Sequence, residues 1–149
     1  LSCTQVQMKI LFDTNLVLDV LLARKPFVDE AAPLVDAVER SQIYGYLGAT
    51  TITTLHYYLG RQLGVTGARA ALSRLLSIFE VAPVSRLVLQ AALDSRIKDF
   101  EDAVLAEAGY HIGAEGLVTR NTSDFQHSPL RVYSPAQLLT WLRRQSTDA

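Results

Sequence analysis

Hydrophobic and polar positions along the chain fall into short apolar runs separated by longer stretches with apolar residues every third or fourth place. The first run, Lys9-Ile10-Leu11-Phe12-Asp13, reads as a buried strand that stops on a carboxylate. Asn15 to Leu22 is apolar at near-helical spacing, and Pro26 breaks it. Phe27 to Ser41 sets Phe27, Ala31, Leu34, Val35 and Val38 on one face, the mark of an amphipathic helix. Ile43 to Leu47 alternates as a strand ended by Gly48. Thr51 to Leu63 predicts a helix closed by Gly64, and Thr66 is placed to cap another over Gly67 to Phe79.

Glu80 to Pro83 is a short strand, Ser85 caps a helix to about Ile97, and Asp99 caps one from Phe100 to about Tyr110. Leu117-Val118-Thr119 and Arg131-Val132-Tyr133 are strands. Ser134-Pro135 opens a terminal helix through Trp141, a serine cap followed by a proline suited to a first helical turn. Short strands alternating with helices predict a parallel sheet wrapped on both faces. The expected architecture is a three-layer α/β/α sandwich with helix-rich insertions between the second and third strands. One domain is expected over 8–145, with 1–7 as an N-terminal extension or expression remnant and 146–149 as a tail.

Composition narrows the class. The chain has 149 residues, 49% hydrophobic and 19% charged, which suits a single packed core and not disorder. No apolar run reaches the ~20 residues of a membrane span, so no membrane partner is expected. Residues 1–7 carry no basic stretch ahead of an apolar one, so no secretory leader is expected there. The single cysteine, Cys3, excludes an internal disulfide and fits a reducing compartment, and a cytoplasmic location is the expectation. Cys3 lies in a terminus expected to fray, a poor setting for a nucleophile. Net charge is −1 and decides nothing about a nucleic-acid partner, although 11 of the 14 basic residues are Arg, the better bidentate phosphate ligand.

The candidate chemistry lies in the acids. Asp13 ends the first strand, and Gly116-Leu117-Val118-Thr119 runs on through Arg120 and Asn121 to Asp124. In a parallel sheet both strands deliver these groups to the same carboxyl-terminal edge, where open α/β folds place their sites. Carboxylates gathered there repel one another unless a cation holds them, and hard oxygen donors suit Mg²⁺ or Mn²⁺. Asp13 alone could serve as an N-cap for the next helix. Asp102, three residues after the Asp99 cap, could be an ordinary first-turn acid. Together with Asp124 they are expected to be metal ligands, with Asp102 favoured over Glu101. Asp99 is either a cap or a supporting acid. Asn121 and Asp124 are three apart, so one helical turn brings them to the same side, and Phe125 would pin that turn. Asp19, about one and two-thirds turns beyond Asp13, is expected to face solvent.

Other site chemistries find no footing. His56, His111 and His127 are scattered without zinc-site spacing. No GxxxxGK[ST] or GxGxxG loop and no serine in a nucleophile elbow occurs. A phosphatase of the haloacid-dehalogenase type would want a second Asp two residues after the first, where this chain has Asn15, and a downstream Lys and Asp-Asp pair that are missing.

From Met8 to Leu142 the chain resembles the PIN domain, the small metal-dependent ribonuclease fold of many prokaryotic toxin–antitoxin toxins. The resemblance rests on Ile10-Leu11-Phe12-Asp13-Thr14-Asn15, on Asp99-Phe100-Glu101-Asp102-Ala103 and on Val118-Thr119-Arg120-Asn121-Thr122-Ser123-Asp124-Phe125. It implies cleavage of single-stranded RNA with Mg²⁺ or Mn²⁺ held by Asp13, Asp102 and Asp124, with Asn121 close by and Thr14 and Asn15 supporting the first Asp. It also implies an antitoxin protein that covers the acid pocket, and a homodimer. The pattern departs in one place. Such nucleases usually carry a Glu in a Thr-x-x-Glu-hydrophobic stretch after the second strand, and here Thr51-Ile52-Thr53-Thr54-Leu55-His56-Tyr57-Tyr58 offers no acid. His56 or a neighbouring Thr would occupy the position, with His56 either binding a phosphate or water or packing structurally. A degenerate, non-cleaving module that binds RNA or protein is the alternative.

The same resemblance makes Arg24, Lys25, Arg61 and Arg120 candidates to neutralise substrate phosphates, Arg120 being placed best. Tyr57 and Tyr58 would stack on bases or, as is commoner for such a pair, pack in the core.

Overall fold

The computed structural model describes residues 7–147. Residues 1–6 and 148–149 lie outside the described residues, and with them Cys3, most of the expected extension and half of the expected tail. Gln7 is described, and its side-chain amide donates to the Ser41 carbonyl.

Among the described residues five strands form one parallel sheet in the order β3-β2-β1-β4-β5. They are β1 (Lys9–Phe12), β2 (Tyr44–Gly48), β3 (Glu80–Ala82), β4 (Gly116–Val118) and β5 (Arg131–Tyr133). Six helices connect and cover them: α1 (Thr14–Leu21), α2 (Val28–Glu39), α3 (Ala49–Ile78), α4 (Arg86–Asp94), α5 (Phe100–His111) and α6 (Pro135–Thr147). A 3₁₀ turn, η1 (Thr122–Phe125), follows β4.

Strand alternation builds the three layers. Ile10 and Phe12 point to one face, into a core with Leu16 and Leu18 of α1, Leu34 of α2, Leu55, Leu59 and Leu72 of α3, and Leu138 of α6. Leu11 points to the other face, against Val88 and Ala92 of α4, Ala103, Leu105 and Ala106 of α5, and Phe125 of η1. The expected α/β/α sandwich is the architecture found. Central β1 and its neighbour β4 are in register from Ile10↔Gly116 to Phe12↔Val118, so the chain leaves both strands at the same edge.

Three boundaries differ from expectation for local reasons. As expected, the helix after β2 closes at Gly64, whose φ of 76° and ψ of 171° suit glycine alone, so α3 is two helices either side of a kink, and the difference lies in where the second begins. The second half re-enters the helix at once, so Thr66 lies inside it and is not a cap. Ser85 Oγ accepts from the Val88 amide as expected, but α4 stops at Asp94, three residues short of the expected Ile97. Ser95 turns the chain there, its Oγ accepting from the Ile97 amide at 3.1 Å. At the other end α6 runs past Trp141 to Thr147. Its start is locked by a reciprocal pair in which Ser134 Oγ accepts from the Gln137 amide and Gln137 Oε1 accepts from the Ser134 amide.

Candidate active site

Asp13 follows Phe12 at the carboxyl end of β1, and its backbone amide donates to the Val118 carbonyl of β4 at 3.0 Å. It occupies the N-cap position of α1, yet the contact that fixes its side chain comes from β4. Thr119 Oγ1 donates to Asp13 Oδ2 at 2.8 Å and accepts from the Asn121 amide at 3.0 Å. Both Asp13 and Thr119 are buried. One hydroxyl therefore ties the first acid to the loop that leads to Asp124. Asn121 begins η1 through its carbonyl, which accepts from the Asp124 amide at 3.0 Å, and buried Phe125 anchors the turn.

Asp13 lines a cleft of about 130 Å³. Thr14, Asn15 and Leu18 come from α1, Thr50, Thr51, Thr54 and Tyr58 from α3, and Glu101, Asp102 and Leu105 from α5. Asp102 sits in the first turn of α5, where its amide donates to Asp99 Oδ1 at 3.0 Å. Asp99 is thus the cap of α5, its side chain committed to that bond. Asp124 is exposed on η1.

Electrostatics binds these acids into one group. Burial raises the Asp13 carboxyl above its ordinary range. The Thr119 hydrogen bond, the Thr14 amide and the Arg120 charge oppose that rise, and Asp124 adds to it. Asp102 is pushed up to about 7, first by loss of hydration and then by the charges of Asp13, Asp99, Asp124 and Glu101. The structure therefore brings Asp13 and Asp102 into one cleft, with Asp99 and Asp124 inside their electrostatic reach.

The donor set fits a hard cation that keeps much of its water. Among the described residues no three Asp, Glu, His or Cys side chains stand close enough to cage an ion. Mg²⁺ dehydrates reluctantly and is commonly held by one or two carboxylates plus waters and substrate phosphates. Asp13, Glu101 and Asp102 share a cleft that α3 lines with hydroxyls, a donor set that matches that habit. Crowded like charges, whose mutual repulsion adds to the rise of the Asp102 carboxyl, favour its entry.

Several expectations need correction. Asp19 does not face solvent: it is fully buried, and Arg120 Nε donates to its Oδ2 at 2.8 Å. Arg24 stands 3.7 Å from Oδ1. Burial of a carboxylate demands such partners. A lone acid within Leu16-Val17-Leu18-Asp19-Val20-Leu21 was the available signal. Tyr57 and Tyr58 are not core residues, because Leu55 and Leu59 fill the inward face of α3. Tyr57 and Tyr58 are 58% and 42% exposed, pack edge to face, and Tyr58 reaches the cleft. Arg61 lies over the Tyr57 ring at 5.7 Å.

His56 is outside the cleft lining, where α3 is represented by Thr50, Thr51, Thr54 and Tyr58. Thr54 thus stands where the Thr-x-x-Glu pattern would put an acid. Thr51 Oγ1 shares a hydrogen bond with Thr14 Oγ1 at 2.8 Å, and Thr54 Oγ1 donates to the Thr50 carbonyl at 3.2 Å. Sequence reasoning missed this hydroxyl wall and the place of Glu101 in the lining.

A family model described as a PIN domain matches residues 9–123. Solved structures share the fold. VapBC2 from Rickettsia felis bound to a promoter DNA fragment has a TM-score of 0.64 at 17% identity, over 85% of this chain and 98% of that one. A toxin–antitoxin complex from Klebsiella pneumoniae has a TM-score of 0.64 at 22% identity, over 85% and 97%. VapC20 of Mycobacterium tuberculosis, a sarcin-ricin loop cleaving toxin, has a TM-score of 0.61 at 20% identity, over 82% and 98%. No curated protein matches the chain.

Proposed function

The chain belongs to the PIN-domain family, and on that premise we propose that it is a divalent-metal-dependent endoribonuclease, the toxin of a toxin–antitoxin pair. The observation that supports this most directly is the pairing of buried Asp13 with Asp102 across one cleft at the sheet edge. The described neighbours include toxin–antitoxin complexes and an RNA-cleaving toxin.

In this reading Asp13 and Asp102 would hold Mg²⁺ or Mn²⁺ in the cleft, Asp124 would add negative charge from η1, and Asp99 would support as the cap of α5. Such a cation, when bound, would make a water lose its proton near neutral pH and so become nucleophilic, and would supply positive charge beside the departing oxygen. Thr119 keeps Asp13 oriented, Thr14 and Asn15 shape the cleft beside it, and Asn121 sets the turn carrying Asp124. No side chain has to act as nucleophile. An antitoxin and a second copy of the chain are the proposed protein partners. The domain would span 8–145, a reading compatible with the matched range. Among the described residues no helix is long and apolar enough to cross a membrane.

A second reading has an observation of its own. The α3 side of the cleft presents hydroxyls and no carboxylate, which suits a non-cleaving module that binds RNA or protein. Calorimetric Mn²⁺ titration and RNA cleavage assays, on wild type and Asp13→Asn, separate the two. The nuclease reading expects metal binding and Mn²⁺-dependent cleavage in wild type, with both lost in the variant. Absence of binding and of cleavage at millimolar Mn²⁺, with RNA present, would leave the binding module.

A further inference from the structure

Beside the acid cleft lies a cationic cluster with an unusual charge count. Asp19 of α1 is fully buried and faces two guanidinium groups: Arg120 Nε donates to Oδ2 at 2.8 Å, and Arg24 Nη1 stands 3.7 Å from Oδ1. Oδ1 accepts no hydrogen bond from the protein. Taken by themselves, Asp19, Arg24 and Arg120 carry one positive charge more than negative, although Arg120 also acts on the nearby Asp13 carboxyl. Arg24 is the looser of the two, held by distance-limited attraction and not by a hydrogen bond.

Arg120 is pre-organised. Its Nε is spent on Asp19, and its guanidinium lies 4.0 Å over the Phe27 ring. That grip leaves the terminal amino groups for an outside acceptor, and a fork fixed in advance loses little entropy on binding. The backbone of Arg24 is pinned as well, its amide donating to the Asp19 carbonyl at 2.9 Å. Both side chains keep an open side, with 26% exposure for Arg120 and 36% for Arg24. Phe27, beneath Arg120, is 42% exposed.

The cluster is also close to the candidate site. Asp19 is six residues along α1 from Asp13, about 9 Å by helical rise. Arg120 directly follows Thr119, the residue bonded to Asp13, and its charge acts on the Asp13 carboxyl. We infer that Arg24 and Arg120, both facing buried Asp19 and Arg120 also stacked on the Phe27 ring, form a seat for a backbone phosphate of single-stranded RNA next to the one held at the acids. A tetrahedral anion between two guanidinium groups matches their geometry. Phe27, still 42% exposed beside Arg120, would give a neighbouring base an aromatic contact, the pairing of cation and aromatic used by single-strand binders. The seat rests on the ribonuclease reading and names where its substrate lies. Asp19 acts as a positioning residue, holding Arg120 at the angle the phosphate needs.

The test is fluorescence anisotropy of a labelled, non-cleavable 2′-O-methyl oligouridine on the full chain across a salt series. Arg24→Gln leaves the buried Asp19–Arg120 bond intact. It should weaken binding about tenfold and reduce the log–log salt slope by about 0.7, the value for one phosphate contact on a single strand. Mn²⁺ affinity by calorimetry should stay within about twofold, which separates the seat from the acids. Because Arg120→Gln alone strands a buried carboxylate, the second variant is Asp19→Asn with Arg120→Gln, which keeps a neutral hydrogen-bonding pair and should also weaken the oligonucleotide. Wild type that binds the strand while Arg24→Gln binds it equally, with the same slope, overturns the seat and leaves the nuclease reading standing. Wild type that binds no strand, with or without Mn²⁺, overturns both. Displacement of the strand by inorganic phosphate much better than by chloride at equal ionic strength would identify a free-anion site and overturn the RNA assignment.

Discussion

Replacing Asp102 with Asn probes the repulsion in the cleft while leaving the fold in place. The amide of Asp102 is held by Asp99 Oδ1, and an isosteric side chain keeps that cap. In the metal-free protein the Asp102 carboxyl is pushed from 3.8 up to about 7 by loss of hydration and by the neighbouring acids, Asp13 first among them. The whole displacement sets a ceiling of about 4 kcal/mol. Screening at a partly exposed carboxyl brings the expected penalty down to about 1–2 kcal/mol. Asn also gives up a favourable charge in the first turn of α5, about 0.3–1 kcal/mol. A net gain of about 1 kcal/mol remains, or about 3 °C in Tm for a chain of this size.

The sign of the shift fixes the pH dependence. A carboxyl that titrates at about 7 when folded and near 3.8 when unfolded holds more protons in the folded state. Stability therefore falls as pH rises between those values and levels off above 7. Thermal melts in EDTA should superimpose for wild type and Asp102→Asn at pH 4. At pH 8 the variant should melt higher. Millimolar Mn²⁺ at pH 8 should raise the wild type more than the variant, because a cation that binds only the folded chain stabilises it by mass action. A variant less stable than wild type at pH 8, or one whose advantage is the same at pH 4, would refute a carboxyl raised by lost hydration and acidic neighbours at Asp102.

Two further substitutions test the scaffold behind the site. Thr119→Val removes a buried hydroxyl that donates to Asp13 Oδ2 and accepts from the Asn121 amide; it should cost about 2–3 kcal/mol by urea denaturation, and an unchanged midpoint would show that this tie does not hold the two loops together. Gly64→Ala adds a methyl that meets nothing within 4 Å, yet φ of 76° with ψ of 171° should make it cost about 1–3 kcal/mol. Wild-type stability in that variant would mean the α3 helix passes through without its break.

Those two sites also mark what the sequence could and could not disclose. Asp13 was legible because a strand pattern of buried residues ends on it, and any parallel sheet then puts it at the edge with the loop after β4. Gly64 was legible as a break because no other residue adopts its backbone, although the immediate return to helix was not. The turn at Ser95 was hidden because a serine side chain competing for a nearby amide leaves no mark on hydrophobic periodicity.

What escaped sequence reading shares a physical cause. Asp19 looked solvent-facing because charged residues are mostly exposed, and its partner Arg120 lies 101 positions away. The pair exists only because β1 and β4 are neighbours and both release their chains toward α1. Tyr57 and Tyr58 looked like core because aromatic pairs usually are, but helical geometry had already given the inward face of α3 to Leu55 and Leu59. That displacement leaves Tyr58, Thr54 and Thr51 as the polar lining opposite Asp13 and Asp102. The departure from the Thr-x-x-Glu pattern and the misjudged tyrosines are therefore one fact about α3: its face toward the acids carries hydroxyls. A cation entering such a cleft would meet carboxylates on β1 and α5 but none on α3, and would take its other oxygens from water or a substrate phosphate. On the proposed ribonuclease reading, charge on the substrate side then matters more than usual, and Arg24 and Arg120 beside Asp19 are where the chain would supply it.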